Sequence, residues 1–399
     1  MYWHPETPLR QRYLSSVGQT SPQPMLLEIQ SASGSWIHST SGKAYLDLIS
    51  GISVSNLGHG RTEIVQAIQN QAAKYLHTMV YGEHIQAPQV ALAEALTNAL
   101  GHPFKAVYFV NSGSEAIEAA LKLARRHTGR FEVVSFINAY HGSTMGALSA
   151  MGSHAFSDGF LPIVPGHTRL PFNEIDALKA ISSKHAAVLV EPVQGEAGYI
   201  WPEAGFLEAI AQKCQEHGCL LIFDEIQTAY ARCGKLFAFH EFNVQPDIVV
   251  LAKSLGGGMP LGALAASQNL LNSFTHLPVL GHISTFGGHP VSCAAGLAAL
   301  EIVQNEKLAE RALWVESRFR HFLHPEFAQK LKGKACMMSL ELENFQQLQI
   351  AVQLAFDKGV LIDWFLFNDR SLRLAPPLNI LDHEIEFACE ALNQALSNL

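Results

Sequence analysis

The sequence predicts an α/β fold: a large domain on a mostly parallel sheet, joined to a smaller α+β domain. Strand-length apolar runs end near Ala106–Val110, 133–136, 186–193, 219–226, 247–252 and 261–267, with helical patterns at 114–126, 174–183 and 205–217 between several of them. Continuous apolar strands alternating with helices indicate a parallel sheet covered on both faces. A length of 399 residues suggests two or three domains at roughly 150 residues each. With 48% hydrophobic and only 16% charged residues, the chain can bury large cores and is not disordered.

Taken in order, residues 1–50 hold short strands at 25–29, 36–38 and Ala44–Asp47, no helix is predicted there, and the segment is expected to pack with the small domain. Residues 51–296 form the large domain, and 297–399 the small one. The latter opens with one long polar helix over 297–326, followed by an apolar run at 336–342 and helices at 348–358 and Asp382–Leu396. The opening residues Met1–Glu6 lack the basic and apolar stretches of a secretory signal, and no run of about 18 apolar residues occurs. The six cysteines form no C-x-x-C pair, which fits buried thiols and a cytoplasmic setting. A net charge of −8 argues against a nucleic-acid partner, and the nineteen histidines form no metal-ligand spacing.

Three features carry chemistry. Asn111-Ser112-Gly113-Ser114-Glu115-Ala116 follows a strand and opens a helix, so its free backbone N–H groups and the helix dipole can hold a phosphate; Ser112 or Ser114 can equally act as a plain N-cap. Asp224 ends an otherwise apolar strand, where a carboxylate is costly unless paired. A protonated heteroaromatic nitrogen is one such partner and an ordinary salt bridge or cap another, while Gln227 can reach a ring substituent. Lys253 closes a third apolar strand and precedes Gly256-Gly257-Gly258. A desolvated lysine has a lowered pKa and becomes an amine nucleophile able to form a Schiff base, whereas most lysines are solvated. A phosphate cradle, an anion for a ring nitrogen and a lysine amine at strand ends are together what pyridoxal 5'-phosphate requires.

On seven segments the chain resembles the class III aminotransferases of fold type I, the ornithine, acetylornithine and 4-aminobutyrate group. They are Asn111 to Ala116, Tyr140-His141-Gly142, Glu191-Pro192-Val193-Gln194-Gly195-Glu196, Asp224-Glu225-Ile226-Gln227-Thr228, Ala252-Lys253, Ser284-Thr285-Phe286-Gly287-Gly288 and Arg373-Leu374-Ala375-Pro376-Pro377-Leu378. The resemblance implies a seven-stranded large-domain sheet, pyridoxal 5'-phosphate as cofactor, and a homodimer with shared active sites. By it, Lys253 is the Schiff-base lysine and proton carrier, Asp224 pairs with the ring nitrogen, and Gln227 sits near the ring hydroxyl. Ser112, Gly113, Ser114 and His141 belong to the cofactor-binding set, Tyr140 and Ile226 sandwich the ring, and Thr285 reaches the phosphate of the neighbouring subunit. Arg373 is similar to the clamp for the α-carboxylate of a 2-oxo acid, gated by Glu196.

The implied reaction moves an amine from an ω-amino acid or diamine to 2-oxoglutarate or another 2-oxo acid. An aminomutase, racemase or decarboxylase on the same framework is the alternative, and a non-catalytic cofactor-binding module a more distant one. The chain departs from the family at Ser143, where Arg is usual after His-Gly, at Ala229 and Ala231 in place of glycines, at His289 in place of Asn, and at Gly60-Arg61-Thr62. Ser143 removes the expected clamp for a donor's distal carboxylate, and Arg61 is a candidate to compensate.

Overall fold

In the computed structural model, which describes residues 7–79 and 82–399, seven strands form one sheet. Across it the order is Ala106–Val110, Gly262–Ala266, Ile248–Leu251, Leu220–Asp224, His185–Val190, Glu132–Phe136 and His167–Leu170. Gly262–Ala266 runs antiparallel to both its neighbours, and the other pairings are parallel. Successive side chains point to opposite faces, so both faces must be covered. Ile222 and Val250 meet helix Gly113–Thr128, which buries Ile117, Ala120, Leu121 and Ala124 against them. Phe223, Val249 and Leu251 face the other way, toward Phe206 and Ile210 of helix Phe206–His217.

Two smaller sheets complete the chain. One joins Ile29–Ser33, Trp36–Ser39 and Ala44–Asp47 to Val360–Leu361, where Val360 pairs parallel with Leu46. The other is an antiparallel set of Leu331–Lys334, Met337–Glu341, Ser371–Leu374 and Asp363–Trp364. Helix Pro290–Asn305 packs on Thr62–Lys74 and Ala87–Leu100 and against the turn at Lys253–Gly256. Gly296 permits that last approach, since a Cβ there would lie 2.5 Å from the Leu255 carbonyl oxygen.

Several expected elements differ. The single helix over 297–326 is two helices, Pro290–Asn305 and Leu308–Phe322, broken where Lys307 takes φ +51°, with a short Pro325–Ala328 turn beyond. Residues 174–183 give only a 3₁₀ turn, Ile175–Ala180. The first fifty residues do contain a helix, Pro8–Ser16, set by Pro8 at its first position and by the Thr7 hydroxyl accepting from Arg10 N–H at 3.1 Å. The strand expected at 25–29 falls later, at Ile29–Ser33. His167–Leu170 was not anticipated, because an edge strand reading His-Thr-Arg-Leu has no apolar run. Met1–Glu6 lie outside the described residues. Among the described residues no helix is long and apolar enough to cross a membrane.

Arg232 fastens these parts together from a fully buried position. Its Nε donates to Asn56 Oδ1 at 3.1 Å, and its Nη1 donates to the carbonyls of Cys336 (3.1 Å) and Pro376 (2.6 Å). No carboxylate forms an ion pair with it among the described residues, so neutral acceptors, aided by the more distant Asp47 charge, offset its desolvation. Replacing it by Ala leaves those acceptors unsatisfied. Arg232→Ala is expected to lower the denaturant-unfolding free energy by about 3 kcal/mol, and Arg232→Lys, which lacks the planar fork, to restore less than half of that.

Candidate active site

The sheet brings its functional residues to one edge. Asp224 ends one strand, Lys253 lies two residues past the end of its neighbour Ile248–Leu251, and Ser112 and Gly113 follow Ala106–Val110. Tyr140 and Glu191 come after two further strands of the parallel set. These are carboxyl ends of parallel strands, where open α/β sheets place ligands. A cleft of about 380 Å³ opens there, lined by Ser112, Gly113, Ser114, Tyr140, His141, Glu196, Asp224, Ile226, Gln227 and Lys253. Every cofactor-binding residue expected from the sequence is therefore in one place except Thr285, which is exposed and lies outside this cleft in its own chain.

The phosphate-type cradle is built by the start of helix Gly113–Thr128. Ser112 is the N-cap, its hydroxyl accepting from Glu115 N–H at 3.2 Å. The first N–H groups of a helix have no intrahelical partner, so those of Gly113 and Ser114 are available to an anion. Close packing enforces the small residues: a Cβ on Gly113 would lie 2.9 Å from Ile226 Cδ1, and one on Gly142 would lie 2.1 Å from Ser114 Oγ.

Asp224 is held by two contacts. Its Oδ1 accepts from Ile226 N–H at 3.0 Å, and its Oδ2 lies 2.7 Å from Nδ1 of buried His141. Next to them stands Glu191, whose Oε2 accepts from Tyr140 N–H (3.1 Å) and Oε1 from Gly195 N–H (3.0 Å). Burial pushes the Glu191 carboxyl up to about 7, with Asp224 adding to the rise and His141 opposing it. The Nε2 of His141 and the Oε1 of Gln227 are buried without a hydrogen-bond partner among the described residues.

Lys253 is half-buried at the cleft, and its amine makes no hydrogen bond or salt bridge among the described residues. Burial lowers its pKa; Arg373 adds to that, and Glu196, Asp224 and Glu191 oppose it. Its backbone has φ +51°, a left-handed conformation costing a non-glycine residue about 1–2 kcal/mol. The strain buys the position of the amine, and buried Leu255 on the same turn anchors it.

A second, adjoining cleft of about 650 Å³ shares Tyr140, Glu196 and Lys253 with the first and is closed by Arg373. Arg373 and Glu196 form a bidentate pair, Nη1 to Oε1 at 3.0 Å and Nη2 to Oε2 at 2.8 Å, both side chains buried. Gln227 Nε2 donates to Glu196 Oε1 at 3.2 Å, and Arg373 lies over the Phe365 ring at 4.7 Å. Burial alone would raise the Glu196 pKa, but the Arg373 and Lys253 charges leave it lowered.

Sequence reasoning missed three things here. Glu191 was quoted in its motif without a role, although a carboxylate after an apolar strand was itself a signal. Asp363, whose Oδ1 is 3.1 Å from Arg373 Nε, comes from a two-residue strand with no pattern to flag it. Arg61 does not enter either cleft; it pairs with Glu63 and Glu306 at the surface. At two departures the structure is informative: Ala231 takes φ +68°, a conformation suited to the family's glycine, and Ser143 Oγ lies 3.3 Å from the Tyr140 hydroxyl. Among the described residues no cluster of His, Cys, Asp and Glu could hold a metal ion.

Fold and site together define a fold type I transferase. A family model for class-III aminotransferases matches residues 17–396, and the chain belongs to that family. It is 40% identical to an acetylornithine aminotransferase of Methanosarcina mazei over 94% of this chain and 92% of that protein. It is 35% identical to another from Methanocaldococcus jannaschii, over 92% of each. The crystal structure of an ornithine aminotransferase from Toxoplasma gondii is similar with a TM-score of 0.90 at 28% identity, over 98% of this chain and 94% of that one. A Bacillus anthracis aminotransferase gives 0.91 at 28% identity over 98% of both.

The Glu196–Arg373 pair has a stability signature. A carboxyl whose folded pKa is lowered contributes stability above its unfolded pKa and loses it as the pH falls through the folded value. Glu196→Gln should therefore destabilise the protein by about 3 kcal/mol at pH above the ordinary glutamate range. Denaturant titrations of parent and variant should begin to converge as the pH falls below that range and coincide only below the lowered folded value of Glu196.

Proposed function

We propose that this enzyme binds pyridoxal 5'-phosphate and transfers an amine from an ω-amino acid or diamine to 2-oxoglutarate or another 2-oxo acid. One observation carries the reading: a helix N-terminus fitted for a phosphate, a buried carboxylate and a half-buried lysine with an unpaired amine converge in one cleft. The residues fit the cofactor, since Ser112, Gly113 and Ser114 line the cleft at a helix start and Gln227 Oε1 offers a buried, unmatched acceptor. When bound, pyridoxal phosphate supplies an aldehyde that condenses with amines and a protonated ring that draws electrons from the adjacent carbon.

In this reading Ser112, Gly113 and Ser114 take the phosphate, Tyr140 and Ile226 hold the ring between them, and Gln227 faces its hydroxyl. Asp224 keeps the ring nitrogen protonated, and His141 fixes the carboxylate that does so. Lys253, whose pKa burial lowers, would be the amine that condenses with the cofactor aldehyde and the group that carries a proton at the reacting carbons. Arg373 takes the acceptor's α-carboxylate bidentately when Glu196 releases it, an exchange favoured because one planar fork serves both partners. The names of the acetylornithine and ornithine aminotransferases among its relatives support an ω-amino donor.

The reading includes a homodimer in which Thr285 serves the partner's site. Thr285 stands in an exposed apolar stretch with Leu277 (91% exposed), Val279, Leu280, Ile283 and Phe286, as an interface requires. Pairing of Val360 with Leu46 supports grouping residues 1–50 with a small domain at 297–399, beside a large domain at 51–296. The six free, buried cysteines support a cytoplasmic setting.

The test is a set of half-reactions with the cofactor-loaded protein. An ω-amino donor should change the cofactor absorption and, with 2-oxoglutarate, yield glutamate; amine loss without any oxo acid would point instead to a decarboxylase or mutase. Lys253→Ala should abolish the borohydride-trappable adduct and lower turnover on the order of ten-thousand-fold. Parent-like turnover in that variant would overturn the reading.

A further inference from the structure

The larger of the two clefts is lined by three carboxylates, Glu196, Asp363 and Asp369, and by two cations, Lys253 and Arg373. Both cations have other work, if the transamination reading holds: Lys253 belongs to the cofactor, and Arg373 is engaged on both its Nη atoms by Glu196. The carboxylates are not so well matched. Asp363 Oδ1 is 3.1 Å from Arg373 Nε, close enough for charge attraction, yet neither atom has a hydrogen-bond partner among the described residues. Asp369 is exposed at the rim and pairs with no cation there. The rest of the wall is largely apolar, with Phe345, Trp364 and Phe365 suited to a methylene chain.

We propose that this cleft selects an amine donor carrying a second positive charge, an aliphatic diamine or guanidino-amine, with Asp363 as its counter-charge, over donors ending in a carboxylate. Asp363 Oδ1 faces Arg373, but a quarter of the side chain remains exposed at the cleft wall. A substrate ammonium pairs with that exposed part of the carboxylate, and it meets a second acid at Asp369. An anionic end meets the same carboxylates as repulsion and finds no uncommitted cation among the described lining residues. Burial, Glu196 and Asp47 push the Asp363 carboxyl up to about 7 against the pull of Arg373, so an arriving cation gains by completing its ionisation. Asp363 thus sets specificity from the wall of the cleft that Lys253 also lines, and it also loads Arg373, against which an acceptor's carboxylate must compete.

This inference rests on the transaminase reading, and binding tests it apart from turnover. Calorimetric titration of the cofactor-loaded protein would use tetramethylputrescine, a dication, and 4-(dimethylamino)butyrate, its carboxylate-ended counterpart; the tertiary amines of both cannot condense with an aldehyde. The parent should bind the dication at least about tenfold more tightly than the carboxylate-ended amine. Asp363→Asn should weaken the dication by about tenfold and strengthen the carboxylate-ended amine, Asp363→Glu should retain dication binding, and exposed Asp369→Asn should give a smaller loss in the same direction. Dication affinity unchanged in both Asn variants, or the carboxylate-ended amine preferred by the parent, would overturn the proposal. Conversion of carboxylate-ended donors alone would also sink it while leaving the aminotransferase reading intact; a protein that no amine converts would sink that reading instead.

Discussion

The register of the central sheet is the constraint on which everything else depends. Val110 pairs with Gly262, Leu251 with Ala263, and Asp224 with Val250, so three chain segments far apart in sequence end at one edge within a residue or two of each other. A slip of one residue would turn Asp224 into the core and exchange the buried and covered faces of its strand. The apolar runs on both faces make such a slip expensive. The reactive groups are consequently placed by packing remote from them, and the local chain has only to supply the right side chain at the strand end.

Given that placement, the site concentrates unfavourable terms that the surrounding fold has to sustain. Lys253 keeps an unpaired amine in the interior and a left-handed backbone. Glu191 and Asp224 bring two carboxyls close together with His141 between them. Arg373 carries one well-made ion pair and one poorly aligned carboxylate. Each arrangement becomes cheaper when a ligand brings the missing partner, a donor for a carboxylate or an electrophile for the Lys253 amine. Binding energy and catalytic power then come from the same source, groups desolvated in advance and left incompletely satisfied.

The small sheet that carries Arg373 is joined to this edge by buried polar contacts rather than by apolar packing alone. Glu196 reaches Arg373 and the Leu366 N–H, Ser339 Oγ donates to the Gly198 carbonyl at 3.0 Å, and Arg232 spans Asn56, Cys336 and Pro376. Directional bonds of this kind fix orientation more than they add net stability. The cleft at Arg373 is therefore oriented by charge and hydrogen bonding, while the cleft at the strand ends is oriented by the sheet.

Much of this was legible in the sequence because the signals were local. Continuous apolar runs marked six of the seven large-sheet strands, Ala106–Val110 to the residue, and Ser112-Gly113-Ser114, Asp224 and Lys253 announced themselves by standing where an apolar run stops. The His167–Leu170 edge strand, the break at Lys307 and the Pro8–Ser16 helix were not legible, since each owes its form to neighbours or to a cap rather than to a periodic pattern. The sequence by itself determined the fold class and which side chains stand at the strand ends, because strand burial and residue type act over a few positions. Only the tertiary structure decided which acids share Arg373 and what charge the substrate wall presents, because Glu196, Asp363 and Arg373 meet across separate sheets and loops, and their energies depend on distance and burial that no local pattern records.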